Sequence, residues 1–144
     1  MNQANRKRKV LFICTHNSAR SQMAEALLRD MHNDYYEAYS AGTEPSHVNP
    51  YAIQVMAEIG INISTHHSKS VDEFNDTIFD SVVTVCDHAK GTCPFFQGGV
   101  QYIHKSFEDP AEFNGTDDEI LTVFKRVRDE EKEWIEKTFG QKKS

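Results

Sequence analysis

Apolar and polar positions alternate along this chain in two periods, and the switches between them mark its elements. Val10-Leu11-Phe12-Ile13 is a β-rich apolar run, followed by Ser21 to Leu28 with Met23, Leu27 and Met31 at i, i+4 and i+8, the spacing of one helix face. Tyr35 to Ala41 reads as a second strand ending at Gly42. Asn49-Pro50 supplies an N-cap and first-turn proline, and Ile53, Met56 and Ala57 form an apolar stripe that closes at Gly60. Val71 to Asp76 suggests a short helix, Phe79 to Cys86 the clearest buried strand, and Tyr102 to His104 a fourth. Thr116-Asp117-Asp118-Glu119 has the capping-box pattern, and Ile120, Phe124, Val127 and Trp134 mark the buried face of the helix it opens. Strands separated by helices predict an α/β fold on a four-stranded parallel sheet flanked by helices, with ligands at the carboxyl ends of the strands.

Composition narrows the classes. With 144 residues and 38% hydrophobic content, the chain is expected to form one domain over 1–144, with 1–8 and 140–144 as flexible termini. A net charge of −6 argues against nucleic acid as a partner, so an anionic substrate would need a local positive field. The basic run Arg6-Lys7-Arg8-Lys9 precedes an apolar stretch too short for a secretory signal, and no segment has the length of a membrane span. The expectation is a cytoplasmic monomer, in a compartment where paired cysteines are more often catalytic or metal-binding than structural.

The candidate chemistry begins where the first strand ends. Cys14-Thr15-His16-Asn17-Ser18-Ala19-Arg20-Ser21 places a thiol and a guanidinium on either side of five residues that open a helix. Five residues let the backbone of Thr15 to Ala19 curl, aim N–H groups at one point and return Arg20 to face the sulfur. An oxyanion there would meet N–H donors, the positive end of a helix and a bidentate guanidinium. The same field favours the nucleophilic thiolate of Cys14.

Cys86 closes the third strand and so leaves the sheet at the same edge as Cys14; Cys93 follows seven residues later. A continuous helix would hold their Cα atoms about 10.5 Å apart, whereas a disulfide needs roughly 4.4–6.8 Å. Bonding would therefore require the segment to loop, which Gly91 and Pro94 favour. Two buried apolar cysteines, or a zinc site on Cys86, His88 and Cys93, are the other readings of this segment.

From about Lys9 to about Trp134 the chain resembles the thioredoxin-coupled arsenate reductases built on the low-molecular-weight protein tyrosine phosphatase fold. The resemblance rests on Cys14 to Glu25, Ser40-Ala41-Gly42-Thr43, Val85-Cys86-Asp87 with Cys93-Pro94, and Phe107-Glu108-Asp109-Pro110-Ala111. It implies a four-stranded parallel sheet with helices on both faces and a relay of three thiols. Cys14 would attack arsenate held by the amides of Thr15 to Ala19 and by Arg20, with Asp109 as general acid. Cys86 would then attack Cys14, giving a Cys14–Cys86 disulfide, and Cys93 would move it outward to Cys86–Cys93 for reduction by thioredoxin. Ser21, Glu25 and Lys69 would support the loop, with no cofactor and no metal.

Two other classes share these residues. A low-molecular-weight phosphotyrosine phosphatase would use the same loop and aspartate, but it needs neither Cys86 nor Cys93. Such phosphatases carry a second loop cysteine and a tyrosine pair where this chain has Ala19 and Ala111-Glu112. A non-catalytic anion or metal sensor is the third class. Some relatives of the reductases hold potassium with residues matching Asn17 and Glu25; here the downstream positions are His67 and Lys69, and the Lys69 ammonium is expected to replace the ion beside Glu25. His16 is expected to offer its backbone N–H, and His66, His67, His88 and His104 to be surface or structural residues.

Overall fold

The computed structural model describes residues 6–86 and 96–140. Parts of both termini expected to be flexible, 1–5 and 141–144, fall outside this range, as do 87–95. The elements in chain order are β1 (Arg8–Cys14), α1 (Arg20–His32), β2 (Tyr36–Gly42), α2 (Pro50–Ala57), β3 (Phe79–Thr84), β4 (Gly99–His104) and α3 (Asp117–Phe139). Short 3-10 helices occupy Val71–Phe74 and Pro110–Glu112.

The sheet is parallel throughout, in the order β2-β1-β3-β4. Strand order reverses at β1, so the crevice at its carboxyl end, beside β3, is where this architecture opens a ligand site. Cys14 is the last residue of β1 and lies level with Gly42 of β2.

Alternation along β1 divides the core. Val10, Phe12 and Cys14 face a cluster built with Met23, Leu27 and Leu28 of α1, Val55 and Met56 of α2, and Phe124, Val127 and Ile135 of α3. Leu11 and Ile13 face the opposite side, where Phe79, Val82 and Phe96 pack with Tyr39, Val71 and Phe74. Thus α1, α2 and α3 share one face, and among the described residues edge-to-face aromatic contacts cover the other.

The local signals act as expected at two helix starts. Asn49 caps α2 by accepting from Tyr51 N, with Pro50 in the first turn. Thr116 and Glu119 close a reciprocal capping box at α3. Several ends differ from the sequence reading. The third strand stops at Thr84, two residues before Cys86, and the fourth begins at Gly99 rather than Tyr102. The stripe expected to run to Gly60 leaves the α-helix at Ala57, with Gly60 at φ 84° in the following turn. The segment from Val71 forms a tight 3-10 turn over four residues.

Candidate active site

Cys14 is a free thiol with only 3% of its surface exposed. Its sulfur lies 2.9 Å from the Ser21 hydroxyl. Asn17 Nδ2 donates to that hydroxyl at 2.8 Å, leaving the Ser21 proton free to point at the sulfur. Asn17 is fully buried and has a positive φ of 50°. Its Oδ1 accepts from Lys69 N and from Gln22 Nε2, both at 2.9 Å, so one amide holds the loop to α1 and to the segment before the first 3-10 helix. An asparagine tolerates this left-handed backbone better than most residues.

Loop carbonyls are tied outward. Thr15 O accepts from Glu44 N at 2.8 Å, His16 O from Ser46 N at 3.3 Å and Ser18 O from Asn49 N at 3.0 Å. Among the described residues, no backbone N–H from Thr15 to Arg20 donates to a protein acceptor. Ala19 caps α1 without a side-chain hydrogen bond, and the first turn carries no acid. The helix therefore presents unsatisfied donors and an unopposed positive end at the loop.

Gly42 lets this loop pack against β2. A Cβ at that position would stand 2.5 Å from Thr15 O and 2.9 Å from both Asn17 N and Cys14 O. In the sequence Gly42 stands at a strand end within the Ser40-Ala41-Gly42-Thr43 motif, with no local signal of this close packing.

Arg20 is buried, and Nη1 donates to Phe107 O at 3.2 Å and to Val85 O at 3.5 Å. Its Nη2 lies 3.4 Å from Asp109 Oδ2. Asp109 also caps the second 3-10 helix, its Oδ1 accepting from Ala111 N at 3.0 Å. Cys14, His16, Ser18, Ala19, Arg20 and Asp109 line a cavity of about 70 Å³ with Ser46 and Ala111. Sites for drug-sized ligands run to several hundred Å³, so this one has the scale of a small oxyanion. His16 is exposed, its ring tied to Glu44 O at 2.9 Å.

Cys86 is buried in the same apolar cluster as Cys14 and is disulfide-bonded. Ile13 pairs with Thr84, and Val85 N donates to Ile13 O at 3.0 Å, so Cys86 comes one residue past the level of Cys14 on the neighbouring strand. Adjacent strands are about 4.8 Å apart, which makes Cys14 and Cys86 neighbours at one sheet edge. Cys93, His88 and the predicted Cys86–Cys93 pairing lie outside the described residues. Among the described residues no group of three or more acidic, histidine or cysteine side chains could hold a metal ion.

Behind the loop, Glu25 is buried and has a different principal partner from the one expected. Lys69 Nζ stands 4.0 Å from Glu25 Oε1 and donates to His67 O at 3.1 Å. Arg29 Nη2 makes the close ion pair with Glu25 Oε2, and Ser40 Oγ donates to Oε1 at 2.5 Å. His66 lies between Gln22 Oε1 at 3.1 Å and Arg29 Nη1 at 3.4 Å, and burial lowers its pKa from the ordinary histidine value. The i, i+4 spacing of Glu25 and Arg29 was the available sequence signal for this pair.

The model of the low molecular weight phosphotyrosine protein phosphatase family matches residues 9–143. This chain belongs to that family. An arsenate reductase of Halalkalibacterium halodurans is 44% identical over 135 residues, covering 94% of this chain and 96% of that protein. A solved structure of an arsenate reductase in its phosphate-binding state superposes with a TM-score of 0.76 at 32% identity, covering 93% of this chain and 98% of that one. A thioredoxin-dependent arsenate reductase of Corynebacterium glutamicum gives a TM-score of 0.61 at 29% identity, covering 94% of this chain and 65% of that one. In this chain the loop from Cys14 to Arg20 stands at the carboxyl end of β1 with Asp109 beside Arg20, and no described helix is long and apolar enough to cross a membrane.

Proposed function

We propose that this chain is a cytoplasmic arsenate reductase that works through three thiols and is recycled by thioredoxin. The observation that carries the reading is the pair of cysteines at one sheet edge: Cys14 within the anion-sized cavity, and Cys86 next to it just past the end of the neighbouring strand. A phosphatase has no use for the second sulfur. Names of relatives support the substrate and, in one neighbour, the electron donor.

In this mechanism the Cys14 thiolate attacks arsenic(V), held by the loop amides and Arg20. One arsenic–oxygen bond breaks as Asp109 protonates the departing hydroxyl, which leaves as water. The Cys86 thiolate then attacks the Cys14 sulfur. A sulfur–sulfur bond forms, the sulfur–arsenic bonding pair stays on arsenic, and arsenite leaves. Cys93 attacks Cys86, releasing Cys14 as thiolate, and the dithiol of thioredoxin reduces the resulting Cys86–Cys93 bond.

The test is arsenate-dependent NADPH consumption with thioredoxin and thioredoxin reductase, run beside a glutaredoxin system. Turnover is expected with thioredoxin and should vanish in Cys14→Ser. Cys93→Ser should release arsenite once and stall. Sustained turnover by Cys93→Ser with thioredoxin as sole reductant refutes the relay. Phosphomonoester hydrolysis without arsenate reduction in the wild type makes the protein a phosphatase instead.

A further inference from the structure

Glu131 lies in the middle of α3, one helical turn from Val127 and one from Ile135, both fully buried. Those two residues belong to the apolar cluster that also contains Cys14, Cys86 and Phe107. Glu131 is 0% exposed, and neither of its carboxyl oxygens has a hydrogen-bond partner among the described residues. Buried polar groups are nearly always paired, so an orphaned carboxyl among residues that pack with Cys14 and Phe107 calls for a reason.

The charges that act on it come from three elements: Cys14 at the end of β1, Arg20 at the start of α1, and Glu130 on α3 itself. Arg20 is engaged elsewhere, with Phe107 O, Val85 O and Asp109. The coupling between Glu131 and the loop therefore acts through space. Burial, then the negative charge of Cys14, pushes the carboxyl well above the ordinary acid range, and Arg20 opposes them.

We propose that Glu131 is a positioning residue for the anion site: as a neutral acid it leaves the Arg20 charge undivided for the thiolate and oxyanion, and its ionisation weakens anion binding. On ionisation the proton goes to bulk water, and a new negative charge is left behind a loop that must already hold a sulfur anion and a substrate anion. This rests only on the part of the proposed function that makes Cys14 and Arg20 an oxyanion site, whatever reaction follows.

The test is a titration of inorganic phosphate onto the reduced full-length protein, wild type beside Glu131→Gln, from neutral to alkaline pH. The two proteins differ only at residue 131, so the ratio of their phosphate affinities at each pH isolates that residue. Wild type should lose about tenfold more affinity than the glutamine variant across the range, the size expected for one buried charge at an intermediate dielectric. Difference infrared spectra should show the carbonyl stretch of a neutral acid in wild type at neutral pH, missing from Glu131→Gln. Glu131→Leu, also uncharged, should give the same flat profile and serves if the glutamine variant folds poorly. Parallel affinity profiles, or no neutral-acid band, overturn the role of Glu131 alone. Failure of the wild type to bind phosphate at any pH overturns the anion site and this inference together.

Discussion

The Ser21 hydroxyl lies 2.9 Å from the Cys14 sulfur while accepting a 2.8 Å hydrogen bond from Asn17 Nδ2. The second bond gives the first its direction: with its oxygen occupied by a donor, Ser21 can offer its proton to the sulfur. A hydrogen bond to a charged group contributes about 1.5–3 kcal/mol, a factor of roughly ten to a hundred. Ser21→Ala should therefore slow alkylation of Cys14 by iodoacetamide at neutral pH by at least about tenfold. Equal rates in the two proteins would show that the hydroxyl does not support the thiolate.

Gly42 gives a prediction about shape rather than charge. A methyl group there meets three backbone atoms of residues 14, 15 and 17 at 2.5–2.9 Å, none of which can swing aside as a flexible side chain could. Gly42→Ala should displace the loop from β2 and weaken phosphate binding by more than about tenfold, while overpacking costs about 1–3 kcal/mol of stability. Isothermal titration and urea unfolding measure the two effects separately. Unchanged phosphate affinity would mean that the loop holds its shape without this close approach.

Glu25 ranks its two cationic neighbours. Arg29 is its close partner and also donates to Ala38 O at 3.0 Å, whereas Lys69 Nζ stands at 4.0 Å. Removing Arg29 leaves a buried carboxylate short of its main donor, so Arg29→Ala should cost about 1–3 kcal/mol. Lys69→Met keeps the apolar stem and should cost under about 1 kcal/mol. Urea midpoints decide the order, and a larger loss from Lys69→Met would reverse it. Replacing sodium by potassium should move neither melting temperature nor activity, since two cationic side chains already serve this carboxylate.

What could be read along the chain was whatever depends on neighbours in sequence. The thiol, the five-residue loop and Arg20 share one strand-to-helix turn, and the Asn49-Pro50 and Thr116-Glu119 caps are local as well. Contacts across the fold were harder to see. Gly42 looks like an ordinary strand end until β1 pairs beside it and brings the loop carbonyls against its Cα hydrogens. The third strand appeared to reach Cys86 because Val85 and Cys86 are apolar, but their burial comes from the helical face of the core. Glu131 was hidden by composition: in the run Asp129-Glu130-Glu131-Lys132-Glu133 a single acid suggests a solvated face. The helical period alone would have revealed it, since it stands four residues from Val127 on the face already marked as buried.

That same buried acid makes stability depend on pH in a direction opposite to that of most carboxylates. A salt-bridged acid has a depressed pKa when folded and stabilises the protein as pH rises; Glu131 has a raised one, caused first by burial. From about 4.5, its ordinary value, upward to its folded value, the unfolded chain has released the proton and the native state still holds it. The slope of unfolding free energy with pH follows the protons bound in the unfolded state minus those bound in the native state, so this group contributes a negative slope. Its stabilising contribution is complete below the unfolded pKa and is lost as pH rises through the folded one. Glu131→Leu removes both the titration and the orphaned oxygens, and replacing an unsatisfied buried polar group by an apolar one of similar shape is neutral or stabilising. Guanidinium unfolding at a series of pH values should show the leucine variant gaining on wild type at each step above the acid range, with the gap levelling once the native carboxyl ionises. A gap that is constant with pH would mean that Glu131 titrates alike in both states, and the carboxyl would then have to reach water.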